Sequence, residues 1–101
     1  MEYTVEVSDT GFRASLSGDL SFADHGRFRE VLERINKSES KTVVLDIHRV
    51  SSIDSAGIGM LLIAAEQAGL RKQNFSVDKP TGQVERIIDL ADLGKVIAIT
   101  R

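Results

Sequence analysis

The segment 53–60, with the sequence Ile-Asp-Ser-Ala-Gly-Ile-Gly-Met, holds the residues of this chain that are best suited to chemistry. A phosphoryl group on Ser55 would add close to two negative charges at neutral pH, enough to control the docking of another surface. Asp and Ser are also favoured at helix N-termini, so capping is the more common role for such residues. Gly57 and Gly59 are poor helix formers whose small size would let another surface approach the backbone. From the segment alone, a phosphorylation switch and a helix cap both remain open.

Enzymatic interpretations of these residues lack the patterns that the chemistry requires. No Lys-Ser or Lys-Thr pair follows the glycines of 57–59, so the segment is not a phosphate-binding loop. Ser55 is not in a nucleophile elbow, because Ile53 and not glycine stands two residues before it. Asp46 and His48 could form a triad with it, but we expect His48 to face solvent in the loop after a strand. We therefore expect a protein that is not an enzyme.

The composition excludes several classes of partner and ligand. The 101 residues are 42% apolar and 28% charged and include no cysteine, which is typical of one globular domain over residues 1–101. The net charge of −2, scattered Lys and Arg and 5% aromatic residues argue against nucleic acid as a partner. Two separated histidines, His25 and His48, do not make a metal site, and no cofactor is expected. The chain lacks a secretion signal at its start and the ~20-residue apolar run of a spanning helix, so we expect a cytoplasmic protein without direct membrane insertion.

Apolar and polar residues alternate over two short segments near the N-terminus, which is the pattern of half-buried strands. A turn cluster at 8–11 separates the two segments, so we predict an antiparallel hairpin whose second strand ends at Gly18. The apolar positions are Tyr3, Val5 and Val7 in the first segment and Phe12, Ala14 and Leu16 in the second.

Helical and strand patterns alternate through the rest of the chain. The spacing of apolar residues predicts helices over 21–35, 58–68 and 84–91, the second of them largely buried, with Gly69 and Gly94 as stops after the last two. Strands are predicted at 43–47, 75–77 and 96–99, and the continuous apolar run at 43–47 indicates a strand covered on both faces. We therefore predict an α/β fold with a mixed, mostly parallel sheet, an N-terminal hairpin and interspersed helices.

The segment 53–62, which includes Asp-Ser-Ala-Gly-Ile-Gly followed by apolar residues, resembles the Asp-Ser-Ser-Gly-Leu-Gly signature of STAS domains, the family of bacterial anti-sigma factor antagonists. Gly-Asp-Leu at 18–20 resembles the Gly-Glu-Leu that precedes the first helix of that family. Segments 43–46, 84–88 and 93–94 resemble its central strand, its last helix and the end of that helix. The resemblance covers nearly the whole chain and implies a STAS-like single domain.

The resemblance implies that Ser55 is phosphorylated by a partner kinase, often the anti-sigma factor itself, and that phosphate releases the antagonist from it. A PP2C-type phosphatase would restore the binding form, and the domain would be a monomer or weak dimer. Ala56 replaces the second serine of the signature, which leaves one acceptor, and Ser21 and Lys79 replace a usual acid and asparagine. The expected partner-binding residues are Asp19, Ser21, Asp54, Ser55, Ala56, Gly57, Ile58 and Gly59.

A second function in a different class stays open, namely a structural STAS subunit of a membrane lipid ABC transport complex, bound to its ATPase. Such relatives commonly place threonine at the acceptor position, so Ser55 argues against this role. From the length of the chain we do not expect a further version, the cytoplasmic tail of an anion transporter. Nucleotide binding or slow hydrolysis ranks last, because no phosphate-binding loop, basic triad or metal-binding carboxylate cluster supports it.

Overall fold

The computed structural model describes residues 1–101 as five strands and three helices. The strands are β1 (Glu2–Val7), β2 (Gly11–Leu20), β3 (Thr42–Ile53), β4 (Asn74–Asp78) and β5 (Ala98–Thr100). The helices are α1 (His25–Ser38), α2 (Ser55–Leu70) and α3 (Gly82–Leu90), and 3₁₀ turns lie at Phe22–Asp24 and Leu93–Lys95. The predicted order of strands and helices along the chain is confirmed. None of the helices has the length and apolar character that crossing a membrane requires.

The strands lie in the sheet in the same order as in the chain. β1 and β2 form the predicted antiparallel hairpin, while β2, β3, β4 and β5 run parallel to one another. The prediction of an α/β fold with a mixed, mostly parallel sheet is therefore confirmed. Each parallel crossover moves one strand further in the same direction, and such connections are right-handed. As a result, all three helices cover the same face of the sheet.

The helices and the covered face of the sheet enclose one cluster of 20 buried hydrophobic residues. Leu45 of β3 and Val77 of β4 are fully buried there, as are Val31 of α1, Leu61 of α2 and Ile88 of α3. Burial of one such side chain stabilises the fold by about 1.5–3 kcal/mol. The apolar periodicity of each element is thus used to build a single core.

The opposite face of the sheet carries no helix, so the expectation that the central strand is covered on both faces is wrong. Val44 and Asp46 of β3 point away from the core, and Val44 is only half-buried. The apolar run appeared continuous in the sequence because valine occupies one position on the open face. The alternation of β3 is that of a strand with one covered side.

A network of charged side chains covers Asp46 on the open face of the sheet. Arg13 of β2 donates to Asp46 at 2.7 Å and to Asp78 of β4 at 3.4 Å. His48 donates to the other oxygen of Asp46 from its backbone N–H at 3.0 Å and from Nδ1 at 2.7 Å. Burial alone would raise the pKa of Asp46, but the hydrogen bonds from His48 and Arg13 outweigh it and lower that pKa to about 2. Through the ion pairs of Arg13, the network links β2, β3 and β4 on the open face of the sheet.

His48 lies within β3, so its predicted position in a loop is wrong, although its side chain is exposed as expected. The hydrogen bond between His48 and Asp46 gives two members of the triad considered above. The third member, Ser55, is too far away to join them. β3 continues for five residues beyond His48, which is about 16 Å at the usual strand rise, before the chain reaches Ser55. The pair therefore belongs to the open face of the sheet and not to a hydrolytic site.

The glycines predicted to end elements lie inside them or beyond their ends. Gly18 is part of β2, where a φ of +83° accommodates an irregularity in the pairing with β3. Gly69 belongs to the last turn of α2, and Lys72, with a φ of 57°, takes the left-handed position instead. Gly94 lies in the 3₁₀ turn after α3, where Asp92 is left-handed. In both helices a polar residue tolerates the conformation that glycine was expected to supply.

Acid should destabilise the fold through Asp46, whose folded pKa of about 2 lies below its ordinary value of 3.8. The unfolded chain takes up this proton more readily, so the stability from the ionised carboxylate is complete above about pH 4 and is lost as the pH falls towards 2. We expect a loss of about 2 kcal/mol between pH 5 and pH 2. Urea unfolding across this range measures it.

The Asp46→Asn variant should lack this share of the pH dependence, whereas Asp9→Asn in the exposed turn between β1 and β2 should retain it. Equal pH dependence in wild type and Asp46→Asn would contradict the assignment.

Candidate functional site

The carboxyl ends of β2 and β3 meet at one edge of the sheet, where Leu20 pairs with Ile53. From there the chain enters α1 through the segment 21–24 and α2 through Asp54. We call residues 18–24 and 51–59 together the Ser55 edge. The carboxyl ends of parallel strands are the usual place for functional sites in α/β folds, because the following helices begin there.

Asp54 holds the two connections of the Ser55 edge together. Its Oδ1 accepts a hydrogen bond from the backbone N–H of Gly57 at 2.8 Å, which caps α2. Its Oδ2 accepts from the backbone N–H of Phe22 at 3.2 Å, in the connection that precedes α1. Its own N–H donates to the carbonyl oxygen of Leu20 at 3.3 Å. One residue thus fixes the start of α2 against the end of β2.

Ser55 is the first residue of α2, and its side chain is exposed. The sequence left open whether this serine is a cap or a site of chemistry. The cap is Asp54, so the hydroxyl of Ser55 is not needed to begin the helix. Ser55 is therefore placed at the surface of a helix terminus that another residue stabilises.

Asp19 and Ser21, which we expected to lie near Ser55, both belong to the Ser55 edge. Asp19 accepts a hydrogen bond from Ser52 Oγ at 2.7 Å, which links the ends of β2 and β3 at the surface. Ser21 donates to Asp24 from its backbone N–H at 2.9 Å and from its hydroxyl at 3.0 Å. The segments 14–26 and 50–70 contain no lysine or arginine. Of the carboxylates at the Ser55 edge, Asp24 pairs with the N-terminal amine of Met1 at 2.7 Å, while Asp19 and Asp54 take part in no salt bridge.

The two glycines of the motif have different roles. Gly57 is buried, and a β-carbon there would collide with the carbonyl oxygen of Leu20 and lie 2.6 Å from Cγ1 of Ile53. Gly59 is half-buried, and apart from its chain neighbours and the backbone of α2 itself no atom lies within 4 Å of the place where its β-carbon would stand. Gly57 thus lets α2 approach the strands, while nothing inside the domain requires a glycine at 59. Ala56 and Ile58, beside them, are half-buried.

Sequence reasoning missed an exposed apolar surface beside this motif. Phe22 is 69% exposed, and Leu62 and Ile63 of α2 are 40% and 50% exposed. The apolar circumference of α2 suggested a largely buried helix, but only its inner side contacts the core. An apolar residue directly after Ser21, in a connection where polar residues are expected, was the available signal. Large exposed apolar patches are candidates for contact with another molecule.

A family model described as "Mlab, STAS domain" matches residues 4–99. The chain belongs to the STAS domain family. A STAS-domain containing protein of Pseudomonas aeruginosa is 26% identical to it over 85 residues, which are 84% of this chain and 83% of that protein.

Several solved structures share this STAS fold. An anti-sigma factor antagonist from Mycobacterium paratuberculosis is similar with a TM-score of 0.87 and 21% identity, over 98% of this chain and 84% of that one. The Bacillus cell fate determinant SpoIIAA in its phosphorylated form has a TM-score of 0.70 and 17% identity, over 99% and 92%. A sulfate transporter family protein from Wolinella succinogenes has a TM-score of 0.78 and 17% identity, over 94% and 80%. At these identities the likeness shows the fold.

The two glycines should respond differently to alanine. Gly57→Ala should lower the free energy of unfolding by about 1–3 kcal/mol, because the new methyl group has to displace the end of β2. Gly59→Ala should leave it unchanged or raise it by up to about 1 kcal/mol, because alanine favours the helix and meets no atom. Urea denaturation of both variants and wild type measures the difference. Equal destabilisation by both variants would contradict the separate roles.

Proposed function

We propose that this STAS domain is a phosphorylation-controlled partner-switching regulator. With Ser55 unphosphorylated, the Ser55 edge binds an anti-sigma factor or a related serine kinase. Phosphate on Ser55 releases that partner, and a PP2C-type phosphatase restores the binding form. The protein is the substrate and ligand of this cycle in the cytoplasm and performs no catalysis.

The observation that carries the proposal is the exposed position of Ser55 beside a cap that Asp54 provides. A serine that is not needed to begin its helix can be modified without loss of the fold. Gly59 also supports a binding surface at the start of α2. It lowers helix stability by about 1 kcal/mol relative to alanine, although no neighbouring element requires a glycine there. A partner that approaches the first turns of α2 closely would account for a small residue there.

The charges of the Ser55 edge explain how phosphate would end docking. A phosphoserine carries about −1.5 to −2 charges at neutral pH. The N-terminus of α2 would favour this charge by about 0.3–1 kcal/mol, but the neighbouring carboxylate of Asp54 would oppose it. The segments 14–26 and 50–70 offer no lysine or arginine as a counter-ion. The phosphate would therefore stay hydrated, and a partner would have to remove that water at a cost of several kcal/mol.

The same charges favour release without a change of backbone conformation. The backbone N–H groups of Gly57 and Phe22 already donate to Asp54, so the phosphate would find those donors occupied. SpoIIAA, which has this fold, has been solved in a phosphorylated form. We therefore infer that phosphate acts on this chain through charge and hydration at the surface of the Ser55 edge.

Tagged Ser55→Ala and Ser55→Glu variants in native cells test the proposal directly. Capture followed by mass spectrometry should recover a serine kinase or anti-sigma factor with Ser55→Ala, and at least about tenfold less of it with Ser55→Glu, which corresponds to ~1.4 kcal/mol. Ser8→Glu is the matched control, because it adds the same charge to an exposed turn at the opposite end of β2. Equal recovery of the kinase or anti-sigma factor with both Ser55 variants would rule out the switch.

Gly59→Leu tests the close approach of the partner independently of charge. The β-carbon would contact no neighbouring element and residue 59 is only half-buried, so the free energy of unfolding should stay within about 1 kcal/mol of wild type. Capture of the partner should fall at least about tenfold, as expected when an interface of native density is overfilled. Undiminished capture by a folded Gly59→Leu domain would show that the partner does not cover this turn of α2.

A second candidate is a structural subunit bound to the ATPase of a membrane transport complex. A sulfate transporter family protein has the same fold, so the architecture is compatible with a role in a transport complex. In that case the capture experiment would recover a transporter ATPase with wild type, Ser55→Ala and Ser55→Glu in equal amounts. The identity of the captured protein and its response to Ser55→Glu separate the two functions.

A further inference from the structure

A groove of about 570 Å³ runs between α1 and α2 on the helical side of the domain. Met60 and half-buried Leu32 form its apolar floor, while Phe22 and Ile63 stand on its rim with 69% and 50% of their surface exposed. We call it the α1–α2 groove. Phe22 and Ile63 border the same groove, so their exposed apolar surfaces face one shared depression in the surface.

The groove follows α2 over nearly its whole length. Phe22 lies at the end where Asp54 caps α2, and Arg71 lies at the other end, directly after its last residue. α2 has 16 residues, which span about 24 Å at 1.5 Å per residue. The groove is therefore long enough to accept a helix of about four turns laid along it.

Two arginines without acidic partners border the groove. Arg29 of α1 and Arg71 are exposed and take part in none of the salt bridges of the structure. Glu33 is the one acidic residue among the lining side chains. The groove thus has an excess of positive charge on a chain whose net charge is −2. This contrast favours an acidic occupant over a basic one.

The shape of the groove favours a helix over an acyl chain. An acyl chain needs an enclosed apolar cavity, whereas more than half of the lining residues here are polar or charged, and Phe22 and Ile63 stand on an open rim. An amphipathic helix can place apolar residues at positions i, i+3 or i+4, and i+7 against such a rim and keep its acidic side towards the arginines.

We propose that the α1–α2 groove is a docking site for an acidic amphipathic helix of a partner protein. Apolar residues of that helix would contact Phe22, Leu32 and Ile63, and its carboxylates would pair with Arg29 and Arg71. The groove extends the binding surface beyond the Ser55 edge along the length of α2. Binding of the acidic helix depends on these groove residues and does not require that Ser55 be phosphorylated.

A photoreactive residue, p-benzoylphenylalanine, placed at Ile63 in the full chain tests what covers the groove. Irradiation in native cells should link it to a peptide with net negative charge and apolar residues at helical spacing, identified by mass spectrometry. The same residue at Leu90, which is 82% exposed on α3 outside the groove, is the control and should not form this adduct. The double substitution Arg29→Glu with Arg71→Glu should lower the yield of the Ile63 adduct about fivefold, because it replaces two attractive charges with two that repel an acidic helix. Arg86→Glu, exposed on α3 and equally unpaired, should not lower it.

The captured segment can then be synthesised as a free peptide and as a variant with lysine at its acidic positions. Fluorescence anisotropy with the purified domain should show the acidic peptide binding at least about tenfold more tightly than the lysine variant. Adducts with a second copy of this chain, with lipid or with a basic segment would overturn the proposal, as would an Ile63 adduct no stronger than that at Leu90. Equal partner capture by Ser55→Ala and Ser55→Glu would rule out the phosphorylation switch, but it would not contradict a positive result at the groove.

Discussion

The arrangement of this site depends on the two hydrogen bonds that the carboxylate of Asp54 accepts. It accepts from the first turn of α2 through Gly57 and from the connection before α1 through Phe22. These two connections leave neighbouring parallel strands, which the hydrogen bonds from Asp54 N–H to Leu20 and from Ser52 to Asp19 also hold together. Because one side chain joins them, the serine hydroxyl and the exposed aromatic ring are held at the same edge. The close contact between Gly57 and Leu20 is possible only without a side chain at 57, so the cap and the glycine act as a unit.

Much of the fold could be predicted because its elements carry simple periodicities. Val5 and Ala14 show the alternation of the hairpin, and Phe28, Val31 and Ile35 show the stripe of α1. The open face of the sheet could not be predicted, because Asp46 is paired with Arg13, which lies 33 residues away in the chain. The ends of α2 and α3 were misplaced because Lys72 and Asp92, and not Gly69 and Gly94, take the left-handed conformation.

The site itself was only partly accessible from the sequence. Asp54 and Ser55 stand in a local motif, so their position at the start of a helix follows from neighbouring residues. Gly57 and Gly59 look alike in the sequence, and only the packing of α2 on β2 and β3 separates an internal contact from an open position. The exposure of Ile63 depends on how α1 and α2 diverge, which no local pattern describes. Local chemistry was therefore predictable, and the shape of the surface around it was not.

The agreement between strand order and chain order also affects how the domain can assemble. Every strand pairs only with the strands that precede and follow it in the chain, so no pairing has to wait for a distant segment. Each parallel pairing closes one crossover, for example from Gly11 to Thr42 and from Thr42 to Asn74, and the entropic cost of closure rises only slowly with the length of the crossover. During synthesis the hairpin can form first, and each helix and strand that leaves the ribosome can add to the same growing edge. The domain can thus assemble by successive addition, without rearranging strands that have already paired.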